Sequence, residues 1–136
     1  MFDQSLLLYR LKMQIKIYIS FDLSIRGDYK GFYSWLDKNN AEERGNGYAY
    51  IKDYFCPDKV FSGAKDFKEK NTMFFNYLKK DIKKFAEISN SDRIYVTLKV
   101  IDSDYIGGVF LFGRKQSSPW EGFNNDSETN NDFDFS

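Results

Sequence analysis

From Met13 to Leu23 the chain reads MQIKIYISFDL, and Ile15, Ile17, Ile19, Phe21 and Leu23 alternate with Gln14, Lys16, Tyr18, Ser20 and Asp22. A period of two is what a strand with one buried face requires, so this stretch commits the chain to a sheet that something must cover. Asp22 falls at the end of that strand, just before the loop Ser24-Ile25-Arg26-Gly27-Asp28. Strand ends facing loops are where α/β folds hold their chemistry, which makes Asp22 the first candidate for a functional carboxylate.

Past the loop, Asp28 has the side chain to accept the unpaired amide protons of a first helical turn, and the spacing predicts a helix to about Asn39. Tyr29, Phe32, Tyr33 and Leu36 form its apolar stripe, Trp35 widens it, and Gly31 weakens the start. Asn39-Asn40 and Gly45-Asn46-Gly47 mark the turn region behind it. Tyr48 to Phe55 reads as a second strand, with Tyr48, Tyr50, Lys52 and Tyr54 on one face and Ala49, Ile51, Asp53 and Phe55 on the other. Cys56-Pro57-Asp58 is a turn, because proline lacks a ladder donor and fixes φ, and Lys59 to Ser62 reads as a short third strand.

From Asn71 or Thr72 to Ile88 the period changes to that of a helix, with Phe74, Tyr77, Leu78, Ile82, Phe85 and Ile88 inward and Lys79, Lys80, Lys83 and Lys84 outward. Arg93 to Ile101 is a strand with Ile94, Val96, Leu98 and Val100 on one face. Asp102-Ser103-Asp104 supplies the turn of a hairpin, and Ile106 to Arg114 is its second arm. Gly107-Gly108 within that arm predicts a bulge or a close approach.

The resulting order is close to βαββαβ, an α+β ferredoxin-like sheet with two helices on one face and an added C-terminal strand. The chain divides into an N-terminal extension (1–12), a ferredoxin-like domain (13–118) and a flexible acidic tail (119–136), one core being the expectation for 136 residues. Histidine is absent and Cys56 is the single cysteine, so histidine-based triads, an intramolecular disulfide and zinc sites of several thiolates are excluded. Catalysis would fall to carboxylates with or without a metal, or to Lys, Tyr and Arg. The N-terminal run Ser5 to Lys12 is shorter than the about 20 apolar residues of a membrane span and lacks a secretory pattern, so the expectation is a cytoplasmic protein without membrane contact.

A sheet with helices on one face leaves the other open. Tyr18, Tyr50, Tyr54 and Tyr95, with Phe110 and Phe112, are placed there, a surface suited to stacking bases or to burying a second copy in a homodimer. The strand ending in Phe21-Asp22-Leu23, with Arg26 close behind, then a helix and a Tyr/Phe-rich second strand, resembles the Cas2/VapD-like group of small ferredoxin-like proteins. The resemblance covers the first sixty residues by pattern and the rest by element order. It implies contact with nucleic acid and metal-dependent or metal-independent cleavage, with Asp22 at the family's strand-end aspartate. Two Asp22 carboxylates brought together by a twofold axis would suit Mg²⁺, Arg26 would face a phosphate, and Asp28 and Asp53 are the other nearby acids. The alternative for Asp22 and Asp28 is bonding to loop and helix-end amides.

Pro119 to Ser136 carries five acids and no base, so the tail is −5 and the remainder of this zero-charge chain +5. A mildly basic body permits a polyanionic partner. Lys79, Lys80, Lys83 and Lys84 are the densest basic patch, and Arg114 and Lys115 stand at a strand end. Pro119-Trp120 and Gly122-Phe123 read as a strap whose rings pack over the sheet edge, or else as a basic loop with a stacking Trp. The tail, with Phe133 and Phe135 among acids, suits docking on a protein partner. Two functions therefore stand: a small nucleic-acid-contacting protein with nuclease activity at Asp22, or a non-catalytic adaptor or inhibitor that uses the open face and tail.

Overall fold

The computed structural model describes residues 12–100 and 106–124. The elements in order are β1 (Lys12–Asp22), α1 (Tyr29–Lys38), β2 (Glu42–Gly45), β3 (Tyr48–Pro57), a 3₁₀ turn (Asp58–Phe61), α2 (Phe67–Lys83), β4 (Arg93–Val100) and β5 (Ile106–Phe112). They make a five-stranded sheet in the order β2-β3-β1-β4-β5, every neighbouring pair antiparallel. Among the described residues no helix is long and apolar enough to cross a membrane. The expected turn at Asp102-Ser103-Asp104, residues 1–11 of the N-terminal extension and the tail beyond Asn124 lie outside the described residues.

One core holds the architecture together. Ile15, Ile17 and Ile19 of β1 and Ile94, Val96 and Leu98 of β4 meet Phe32 and Trp35 of α1 and Phe74, Leu78 and Ile82 of α2, all of them buried in a single cluster. Both helices thus cover the same sheet face, as the alternation in β1 and β4 requires. Asp28 caps α1 by accepting from the Gly31 N–H at 2.9 Å. In α1 the buried pair is Phe32 and Trp35, whereas Tyr29 and Tyr33 of the expected stripe are exposed, because the helix points the 32/35 edge at the sheet.

Three elements differ from their sequence expectation. The short strand of the βαββαβ order is β2, Glu42–Gly45, while Lys59 to Ser62 belongs to the 3₁₀ turn and its flank, where Val60 and Phe61 pack half-buried against the core. Helix α2 begins at Phe67 instead of Asn71 or Thr72. Its cap is Asp66, which accepts from Glu69 N–H at 2.8 Å while the Glu69 carboxylate accepts from Lys65 N–H at 2.7 Å, and it ends at Lys83, ahead of Ile88.

The third difference is in β3. Ile17 pairs with Ile51 but Ile15 pairs with Tyr54, so Lys52 and Asp53 together oppose Lys16 in a β-bulge. The extra residue inverts the faces beyond it: Tyr54 and Cys56 are buried and Phe55 is exposed. Tyr54 is therefore a core residue, not part of the open face. A second register shift, between Ile94 and Tyr95 opposite β5, brings both Leu111 and Phe112 inward, so Phe112 also leaves the expected outer set. The strap reading of Trp120 and Phe123 fails as well, since their relative exposures are 72% and 66%.

Candidate nucleic-acid interface

The face of the sheet away from the helices carries a row of aromatic rings. Register sets Tyr18 of β1 beside Tyr50 of β3 and Thr97 of β4, and sets Ser20 beside Tyr48 and Tyr95. Tyr18 stacks on Tyr50 with ring centroids 4.7 Å apart and planes at 25°, and on Tyr48 at 6.1 Å and 30°. Across β4, Tyr95 meets Phe110 of β5 edge-on at 4.9 Å. Tyr18, Tyr48 and Tyr95 are each more than a third exposed, so the rings pack on one another yet keep a face toward solvent. Gly108 lies directly beneath the Tyr95 hydroxyl, where any Cβ would lift the ring. The close approach expected at Gly107-Gly108 is therefore a ring laid over a glycine.

Cations frame this surface. The Lys16 ammonium donates to the Tyr50 hydroxyl at 3.4 Å, and the Arg44 guanidinium sits 5.2 Å from the Tyr50 ring centre. Arg93 sits 5.5 Å from the Phe110 ring centre. Lys16 and Lys99 are direct cross-strand partners, so two lysines stand side by side on adjacent strands. Arg44 also pairs with Glu42 at 3.2 Å on the exposed edge strand β2, whose charges keep that edge from recruiting another strand.

Asp22 is exposed at the end of β1, with Arg93 as its cross-strand partner. It lines a cleft of about 510 Å³ with Ser20, Tyr29, Tyr33 and Asn46, and among the described residues it is the single carboxylate there. Among the described residues no group of three His, Cys, Asp or Glu side chains is placed to hold a metal ion. Asp28 is engaged at both oxygens, Oδ1 by Gly31 N–H and Oδ2 by Glu87 N–H at 2.9 Å, and these amide bonds hold its carboxyl below the usual range. Asp53 sits at the β3 bulge, toward the other end of β1 from Asp22. Arg26 is exposed on the tight turn closed by the 2.8 Å bond from Gly27 N–H to the Ser24 carbonyl.

The lysines of α2 lie on the helix side, so the sheet separates them from Tyr18 and Tyr50. Lys80 and Lys84 are exposed, while the Lys79 and Lys83 ammoniums lie 5.4 and 5.8 Å from the centre of the Phe112 ring. Arg114 and Lys115 are exposed beyond β5, Lys115 in a hollow with Trp120.

Two carboxylates that the sequence reading passed over organise the scaffold. Asp92 is buried; burial pushes its carboxyl up, but the amides of Ser24 (2.7 Å) and Ser89 (2.8 Å) outweigh that and leave it below the usual range. It ties the β1–α1 loop to the α2–β4 loop. Asp81 of α2 accepts from both the Trp35 indole N–H at 2.9 Å and the Tyr54 hydroxyl at 2.7 Å, on the same oxygen. Its sequence signal is an acid seven residues after Phe74 and three after Leu78, on the edge of the apolar stripe. No family model matches the chain, and neither a curated protein nor a solved structure matches it.

Proposed function

We propose that this chain is a small ferredoxin-like protein that binds single-stranded nucleic acid on the open face of its sheet. The order β2-β3-β1-β4, with a helix between β1 and β2 and another between β3 and β4, supports the fold assignment, β5 being the appended strand. The observation that carries the function is the stack of Tyr18 on Tyr50 and Tyr48 across β1 and β3, two adjacent inner strands, with Lys16 and Arg44 at its rim. Half-exposed rings on a sheet offer π-faces to unpaired bases, and neighbouring cations neutralise the backbone. A duplex, whose bases are already stacked, gains nothing from such rings.

Fluorescence anisotropy with labelled single-stranded DNA and RNA tests this reading. Tyr18→Ala and Tyr50→Ala should each weaken binding by about 5- to 150-fold, the equivalent of about 1–3 kcal/mol of stacking per base. Wild-type affinity should fall steeply with salt. Absence of binding at low salt, or unchanged affinity in both variants, would overturn the proposal. Sedimentation of the same proteins discriminates the protein-partner reading: a wild-type dimer that Tyr18→Ala makes monomeric would mean the rings serve a second copy. Mg²⁺-dependent cleavage enters this proposal only through a homodimer joining two Asp22 carboxylates, and Asp22→Ala should then abolish cleavage while leaving binding intact.

A further inference from the structure

Around the β5 edge from the aromatic face, the C-terminal half of α2, the α2–β4 loop and β5 enclose a cleft of about 900 Å³. Lys79, Lys83, Arg93 and Arg114 line it, with Ser91 and Gln116 as further donors, and among the described residues no carboxylate does. Asp92, next to Arg93 in sequence, has both oxygens on backbone amides, and Asp22, the cross-strand partner of Arg93, lines a separate cleft. We propose that this cleft is a phosphate site and that it receives the backbone of the strand whose bases stack on the open face, an inference that rests on the function proposed above.

Three observations carry it. Arg93 Nε is buried and finds no hydrogen-bond acceptor among the described residues, a state that polar groups rarely keep without a ligand or solvent to satisfy them. The Lys79 and Lys83 ammoniums lie 5.4 and 5.8 Å from the centre of the Phe112 ring, so two of the four cations that line the cleft converge on one of its walls, and an anion between them would be held from two sides. Phe110 belongs to both surfaces: it lines the cleft, and its ring packs against Tyr95 and Arg93 on the outer side. A strand leaving Tyr95 thus meets Arg93 next, and the guanidinium fork suits phosphate oxygens better than a point charge does.

The test measures anisotropy of labelled oligothymidylate of about 12 nucleotides, within the usual span of one such site. Substitutions are confined to the two exposed cations, Lys83→Ala and Arg114→Ala. The double variant should bind at least about tenfold more weakly at low salt, and the slope of log affinity against log salt should shrink by about 1.4, two phosphates at about 0.7 each. Tyr18→Ala should weaken binding with an unchanged slope. In the wild type, the Arg93 Nε–H resonance should shift on adding the oligonucleotide. A double variant with wild-type affinity and slope, or an Arg93 resonance that stays put while the wild type binds, overturns the cleft and leaves the sheet-face proposal standing. No binding by the wild type refutes the sheet-face proposal itself.

Discussion

Asp81 offers the sharpest test of what holds Tyr54 and Trp35 in the core. Its single oxygen Oδ2 satisfies two donors on residues with almost no exposure, Trp35 at 0% and Tyr54 at 1%. Asp81→Ala leaves both donors orphaned at about 1–3 kcal/mol each, so about 2–6 kcal/mol is expected, against a total stability of about 5–15 kcal/mol for a domain. With a urea m-value of about 2 kcal/mol/M, the middle of the usual range, that moves the denaturation midpoint by roughly 1–3 M. Asp81→Asn keeps one carbonyl oxygen able to accept both bonds and loses only their charge assistance, about 1 kcal/mol per bond, so it should fall between wild type and alanine. The decisive measurement is a double-mutant cycle with Tyr54→Phe. In the wild-type background this change should cost about 1.5–3 kcal/mol, because it removes a bond to a charged acceptor. In Asp81→Ala it should be neutral or stabilising, since it deletes an orphaned hydroxyl. Equal costs in both backgrounds would show that Asp81 does not hold Tyr54.

Gly31→Ala, which helix propensity alone would favour by about 1 kcal/mol, should instead destabilise by about 1–3 kcal/mol. Its Cβ would meet the Phe85 carbonyl and Asp28 Oδ2 and come within 2.9 Å of Ala86 Cα, so an unfolding curve at or above wild-type stability would refute the contact. Asp92 and Asp28 have folded-state pKa values below the ordinary value of about 3.9, so their contribution is complete above that pH and is lost as the pH falls through the folded values. Urea midpoints measured down to about pH 2 should show this acid limb, and Asp92→Asn should lower stability near neutrality and flatten the limb; an unchanged limb would contradict the assignment. Burial, with Asp58 and Asp81 nearby, pushes the Cys56 thiol up to about 12. Native protein at neutral pH should therefore resist a thiol reagent that labels it fully in denaturant, and a native rate like that of free cysteine would contradict its burial.

What the sequence made legible is what simple periods encode. β1 and β4 alternate without interruption, and α1 has a capping aspartate at the right offset, so all three elements fall within about two residues of expectation, the usual uncertainty of such boundaries. Glu42-Glu43-Arg44-Gly45 carries no strand signal, because an edge strand that buries nothing has no apolar period, and Gly45-Asn46-Gly47 suits the region behind a helix as well as the hairpin it makes between β2 and β3. Val60 and Phe61 gave a false strand, since a 3₁₀ turn that leans two apolar side chains on the core looks like two strand positions. The first turn of α2 is charged and exposed, which hid its start behind Lys68, Glu69 and Lys70. Of the site, Tyr18, Tyr50 and Tyr95 were legible from alternation. Arg44, Arg93 and Lys16 were not, because their roles depend on which strands become neighbours.

The β3 bulge joins these observations. An uninterrupted strand that kept Ala49 and Ile51 inside would place Asp53 and Phe55 in the core and turn Tyr54 outward. The extra residue at Lys52-Asp53 instead changes phase between Ile51 and Tyr54. Tyr48 and Tyr50 stay on the open face beside Tyr18, while Tyr54 enters the core with its hydroxyl on Asp81. A tyrosine so deep requires a polar partner, and α2 supplies one that also takes the Trp35 indole, so a single carboxylate couples α1, β3 and α2. Because a one-residue slip exchanges every side chain between faces, the bulge is what lets Ala49 and Ile51 before it and Tyr54 and Cys56 after it all face the core. Loosening the bond at Asp81 should therefore cost stability around Tyr54 and Trp35, while the buried Ala49 and Ile51 keep Tyr48 and Tyr50 on the open face beside Tyr18.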